Sequence, residues 1–109
     1  QTLQDLKTRR SCRKYRPEQI EESELEQILE AGTFAATGMG MQSPKIVVVQ
    51  DKETIKTLSK MNAKIMGLTS DPFYGAQTVL IVLADKSRRT YLEDGSLVMG
   101  NLMNAAHAI

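Results

Sequence analysis

The chain has 109 residues, of which 41% are hydrophobic and 25% charged, with a formal net charge of +1. These are the proportions of one soluble globular domain with a modest core. The near-neutral charge argues against a dedicated nucleic-acid binder, the single cysteine excludes a disulfide framework and fits a reducing cytoplasm, and no apolar run approaches the roughly 20 residues of a membrane span.

Taken in chain order, Thr2 and Asp5 resemble a capping box, and Leu3 and Leu6 mark a short helix that should end near Arg9 or Arg10. From Lys7 to Arg16 follow six basic side chains with no acidic one, and the next fourteen residues carry six glutamates. Tyr15-Arg16-Pro17 reads as extended, because proline disfavours a helical residue before it. Ser23 with Glu26 forms a second apparent capping box. Leu25, Ile28, Leu29, Gly32, Ala35 and Ala36 then follow helical spacing on one face. The small residues at the end of that face allow another backbone or a ligand to come close. Thr37 to Pro44 is a loop of small and polar residues. Ile46 to Val49 reads as a short buried strand. Asp51 caps the next helix, whose apolar stripe is Ile55, Leu58, Met61 and Ile65, with Gly67 as its stop. Ser70-Asp71-Pro72 is a turn, Thr78 to Ala84 the best candidate for a central strand, and Asp85-Lys86-Ser87 its break. Leu92 to Ile109 reads as a helix apolar on nearly all sides, which belongs inside a domain or at a subunit interface. The succession of helix, helix, strand, helix, strand and helix predicts a mixed layered domain of helices and sheet.

The usual signatures of catalysis are missing. No phosphate-binding Gly-x-x-x-x-Gly-Lys, Gly-x-Gly-x-x-Gly or Gly-x-Ser-x-Gly occurs, and Gly38-Met39-Gly40 is too short for any of them. The single histidine, His107, has no ligand-spaced neighbours for a metal and reads as a hydrogen-bonded core residue. Cys12 reads either as a reactive thiol among cations or as a small buried apolar residue pointing away from them. Asp85 and Asp94 suit a strand-end turn and a helix surface as well as they suit catalysis. The basic stretch at the first helix end also has two readings: a guanidinium cluster for a compact anion such as phosphate, or a solvated turn paired with the glutamate-rich helix. Together with the small-residue loop and six methionines, it suits a flat, phosphate-bearing ligand whose own chemistry drives the reaction.

Arg9-Arg10-Ser11-Cys12-Arg13-Lys14-Tyr15 resembles the Arg-Arg-Ser-x-Arg-x-Tyr/Phe signature of FMN-dependent nitroreductases. The resemblance continues through Leu25 to Gly32, the loop Ala36 to Gln42, the strand Ile46 to Val49, Phe73-Tyr74-Gly75-Ala76, and Asp94 to Leu102, and so covers essentially the whole chain. It implies an α+β fold, a three-layer α/β/α arrangement with a mixed, mainly antiparallel sheet. It also implies that Arg9 and Ser11 hold the FMN phosphate, that Arg10 contacts the flavin through backbone or side chain, and that Arg13 lies at the pyrimidine edge of the ring. Ala36, Thr37, Gly38, Gly40 and Gln42 would reach the flavin of a partner subunit, and Asn62 would match a ring-edge asparagine. Where the family loop carries an asparagine this chain has Gly40, and Ser43-Pro44 replaces the Pro-Trp that often follows the glutamine.

The implied function is electron transfer from NADH or NADPH, through FMN, to nitroaromatics, quinones or related small acceptors by a ping-pong mechanism, in a cytoplasmic homodimer with the flavin at its interface. No metal, nucleic acid or membrane partner is expected. The same fold also carries dehalogenation and flavin breakdown, and a non-catalytic anion-binding fragment remains the bland alternative. The missing initiator methionine and the uncapped final helix lead us to expect the N-terminal half to two-thirds of a longer chain, with residues 1–109 forming the first part of a single domain.

Overall fold

The computed structural model describes residues 1–109. Its elements are α1 (Thr2–Thr8), α2 (Glu22–Thr33), a 3-10 turn at Gly38–Gly40, β1 (Lys45–Val49), α3 (Lys52–Met66), β2 (Val79–Leu83) and α4 (Tyr91–Ala108). The order and type of the helices and strands are those the hydrophobic pattern predicts, and β1 and β2 pair in a small antiparallel sheet, as an α+β chain requires. No helix is long and apolar enough to cross a membrane. The chain forms two compact units, one of Gln1–Arg10, Glu21–Val47 and Val82–Ile109, the other of Ser11–Ile20 and Val48–Ile81.

In the first unit α2 packs on α4. Helical spacing brings Leu25, Ile28 and Gly32 to one buried face, and Val98 and Leu102 to another. Each such aliphatic side chain contributes about 1.5–3 kcal/mol by leaving water. Gly32 is where the helices come closest: a Cβ there would stand 2.7 Å from Leu102 Cδ2 and 2.9 Å from Ile46 Cδ1. Asn101 Nδ2 donates to Ala31 O at 2.9 Å and gives the apolar contact a polar register mark. The end of α1 meets α4 through Thr8 Oγ1 and His107 Nε2, 2.9 Å apart.

In the second unit Asp51 caps α3 as expected. Its Oδ2 accepts from Thr54 Oγ1 at 2.7 Å and Thr54 N at 2.9 Å, and these bonds hold its carboxyl below the ordinary value. Gly67 ends the helix in the left-handed region, φ 71°, with Leu68 N donating to Ala63 O at 2.8 Å.

Several expectations are corrected. Neither hydroxyl cap forms: α1 is capped by Gln1 and α2 by Glu21, both without a side-chain bond. Thr2 and Ser23 therefore already lie inside their helices, where a cap residue cannot sit. On α3, Met61 and Ile65 are exposed, and the residues turned inward are Ile55 and Leu58, as expected, with Ser59 and Ala63. The small residues there let the following segment approach, and Ser59 Oγ donates to Asp71 Oδ1 at 2.6 Å. The strand β1 is not buried, since Val47 and Val48 are exposed, and β2 is not central, since it has only β1 beside it. A two-stranded sheet leaves each strand a free edge. Ala36 is exposed because α2 ends at Thr33 and the chain turns away. His107 is exposed, held by Thr8 and not by a core. Cys12 is exposed too, its Sγ donating to Lys14 O at 3.1 Å.

Candidate functional site

The basic stretch begins where α1 stops. Arg9 N donates to Asp5 O at 3.1 Å, and the backbone then leaves the helix at φ −59°, ψ 135°. Arg10 turns back on the helix: its Nη1 donates to Lys7 O and Arg9 O, both at 3.0 Å. Those carbonyls have no intrahelical partner, so a guanidinium is well matched to them. Both arginines belong to the first unit, and Ser11, Cys12 and Arg13 to the second. There the chain is exposed and irregular, folded locally by Tyr15 Oη donating to Cys12 O at 2.9 Å.

Ser11, Arg13 and Tyr15 form one side of a hollow of about 280 Å³, with Phe73, Tyr74 and Thr78 on the other. The far side is held by Asp71. Its carboxylate accepts from Ser59 Oγ, from Phe73 N at 2.9 Å and from Gly75 N at 2.8 Å. The Ser59 hydroxyl first, and the Phe73 amide next, hold this carboxyl below its ordinary value of 3.8. These bonds fold a sharp turn in which Tyr74 and Gly75 both take positive φ, 52° and 75°. Gln19 ties the two sides together, its Nε2 donating to Gln77 O at 3.0 Å and its Oε1 accepting from Thr78 Oγ1. A guanidinium, a hydroxyl and several aromatic faces around one hollow suit a flat ligand that carries negative charge. A larger, open hollow of about 470 Å³ lies along α3, with Lys52, Lys56 and Lys60 on its rim. Asn62, exposed on α3, lines neither hollow.

Thr37, Gly38, Gly40 and Gln42 come together in one tight turn of the first unit. Met39, Gly40 and Gln42 have φ of 55°, 64° and 49°. Side-chain-bearing residues rarely adopt such values, and do so only where the surroundings dictate them. Thr37 Oγ1 accepts from Gln42 N at 3.0 Å, and Gln42 Nε2 donates to Thr33 O at 3.3 Å. The entrance of the turn is fixed by Asp94, only 2% exposed. Its Oδ1 accepts from Gly38 N and its Oδ2 from Thr90 Oγ1, each at 2.9 Å. Glycine is required at 38, because a Cβ there would overlap Thr90 Oγ1. One residue beyond the turn, Ser43 Oγ is buried without a partner.

The sequence left Asp94 open between a catalytic carboxylate and a helix surface; it is buried, bonded to Gly38 and Thr90. The only local signal is Thr90 four residues before it, a spacing at which helical side chains meet. The ring faces of Phe73 and Tyr74 were legible only as part of a longer motif.

Residues 6–67, more than half of the chain, match the model of the nitroreductase family. A protein from Methanothermobacter thermautotrophicus, provisionally named NADH dehydrogenase/NAD(P)H nitroreductase, is 25% identical across 98% of this chain and 56% of its own. The structure of a nitroreductase with bound FMN from Bacteroides fragilis superposes with a TM-score of 0.87 at 26% identity, covering 98% of this chain and 64% of that one. An FMN-dependent nitroreductase from Clostridium difficile gives 0.89 at 31% identity, covering 99% and 56%. The chain thus spans 56–64% of the length of these relatives. In sequence and in fold, this chain belongs to the nitroreductase family.

Proposed function

We propose that the full-length protein is an FMN-dependent oxidoreductase that passes electrons from NADH or NADPH to nitroaromatics, quinones or similar small acceptors. The observation that carries this reading is the hollow that Ser11 and Arg13 line together with Tyr15, Phe73 and Tyr74. The names of the relatives support it, two of them being solved or described with FMN. The residues lining that hollow fit such a cofactor: a guanidinium and a hydroxyl for its negative charge, aromatic and small residues for its ring.

Arg9 and Ser11 bind the phosphate, the arginine by paired charge-assisted bonds and the serine by its hydroxyl. Arg13 puts a positive charge at the pyrimidine edge of the ring, where negative charge develops on reduction. Arg10 contributes through its backbone, since its guanidinium is engaged at the end of α1. Ala36, Thr37, Gly38, Gly40 and Gln42 would reach the flavin of a partner subunit in a homodimer, while Asn62, which lines neither hollow, is assigned no contact. Bound FMN would supply the redox chemistry, accepting hydride from the nicotinamide and passing electrons on to the acceptor. No side chain is assigned acid–base work, and with the cofactor bound one open face would serve reductant and acceptor in turn.

Flavin titration of the full chain tests the reading. Arg9→Ala should weaken FMN by about tenfold to a hundredfold, the loss of one charge-assisted contact of about 1.5–3 kcal/mol. Unchanged affinity would remove Arg9 from the phosphate site. Steady-state rates should give parallel double-reciprocal lines, and intersecting lines would count against alternating use of one site.

A further inference from the structure

We propose that Asp94 is a positioning residue for the flavin-facing turn, holding Thr37 to Gln42 in one preformed conformation. The inference rests on the reading above that this turn meets the flavin. Asp94 is the one buried charged residue of the chain. Taking a carboxylate out of water is costly unless both oxygens find donors, and a small apolar residue would fill the same place on α4 without that cost. What the carboxylate does that an apolar residue cannot is accept from Gly38 N with one oxygen and from Thr90 Oγ1 with the other. The two partners are themselves in contact, because the missing Cβ of Gly38 is what makes room for the Thr90 hydroxyl. Asp94, Thr90 and Gly38 therefore form a clasp in which each member is needed by the other two.

The clasp acts on backbone that would not keep its shape unaided. Met39 and Gln42 sit at positive φ without being glycine, and such conformations relax when the structure around them stops enforcing them. Beyond the clasp the turn is held by Thr37 Oγ1 to Gln42 N, by Gly40 N to Thr37 O at 3.0 Å, and by Met41 N to Gly38 O at 3.2 Å. Those three are internal to the turn, and Gln42 Nε2 to Thr33 O at 3.3 Å ties its far end to α2. Asp94 fixes the turn to α4. Met39, 90% exposed at the tip, is then presented outward as a fixed apolar contact. A turn shaped in advance lowers the ordering cost when ligand arrives. The clasp should therefore govern flavin affinity and acceptor KM, with little effect on kcat.

The test uses Asp94→Ala, Asp94→Asn and Thr90→Val in the full chain, read by hydrogen exchange of residues 36–42 without flavin and by flavin Kd, acceptor KM and kcat. Asp94→Ala should speed exchange in 36–42 by about tenfold to a hundredfold and raise Kd and KM by about three- to tenfold. Asp94→Asn should restore both to near wild type, because its Oδ1 still accepts from Gly38 N and its amide can donate to the Thr90 hydroxyl. Thr90→Val, which leaves the carboxylate in place, should fall between them and decides the matter if Asp94→Ala does not fold. Unaltered exchange would overturn the clasp. Faster exchange with unchanged Kd and KM would overturn its positioning role, as would an asparagine variant that behaves like the alanine one. A wild-type chain without flavin affinity would overturn the function proposed above and the flavin side of this inference, while the exchange result would still judge the clasp separately.

Discussion

The turn Thr37–Gln42 is anchored to α4 by a buried carboxylate, while Ser11–Arg16 lies exposed and is folded by short-range bonds, Tyr15 Oη to Cys12 O and Cys12 Sγ to Lys14 O. The first carries strained backbone and few charges, the second carries charges on unstrained, open backbone. Under the proposed function, the difference separates two ways of making a binding surface. The turn is shaped in advance and contributes fixed geometry. The basic stretch contributes attraction, and its long side chains take up their final positions when the anion arrives.

Substitutions should break that contrast in opposite directions. The largest expected effect is on binding without stability. Arg13→Ala should lower flavin affinity by about 1.5–3 kcal/mol, while the melting transition stays within about 0.5 kcal/mol of wild type, as for other exposed positions. Thermal unfolding of the flavin-free protein beside a flavin titration would show whether the two effects separate as expected. The reverse pattern is expected for Gly38→Ala. Its new Cβ overlaps Thr90 Oγ1, and overpacking of this kind costs about 1–3 kcal/mol. Combining it with Thr90→Ala should recover part of that loss, and strictly additive denaturation energies would show that the two residues do not share a site. Smaller still is Arg10→Ala. Removing a cation from the end of α1 should cost about 0.3–1 kcal/mol and affect flavin less than Arg13→Ala does.

Acid should sharpen the comparison most gently, through the far wall of the hollow. The Asp71 carboxyl is held below its ordinary value by Ser59 and the Phe73 amide. A depressed folded value means that its contribution to stability is present above the ordinary value and is lost as pH falls through the folded one. The amides of Phe73 and Gly75 should therefore stay protected down to about pH 4 and lose protection below it, once the intrinsic pH dependence of exchange is removed. If Asp71→Asn showed the same pH course as wild type, the effect would belong to another group.

Much of this architecture was legible before any coordinates. Ile46 to Val49 and Thr78 to Ala84 announce themselves as continuous β-branched and apolar runs, and the apolar row of α2 because burial on one face imposes a helical period. Asp51 and Gly67 announce the ends of α3 because a cap and a left-handed stop are local needs that few residues meet. The helix starts at Gln1 and Glu21 were hidden because neither residue caps with its side chain, and hydroxyls lay nearby to mislead. Beyond Ile55 and Leu58, the inward face of α3 could not be read because it depends on what packs there, the segment ending at Asp71, and not on apolarity: Ile65 is 83% exposed. In the candidate site, Ser11 and Arg13 stand in a recognisable string. Asp94 opens the resembling stretch Asp94 to Leu102, but nothing there announces its role, since an acid in the first turn of a helix usually signals only a favourable dipole. Its role exists only through Gly38, 56 residues away.

The most direct test of the central claim is to purify the full-length protein, release any bound flavin by denaturation, identify it, and titrate the stripped protein with FMN beside its Arg13→Ala variant. The account predicts stoichiometric FMN from the wild type and a titration weakened about tenfold to a hundredfold by the substitution. A full-length protein that releases no flavin and takes up none would contradict it, as would one whose FMN affinity ignores Arg13.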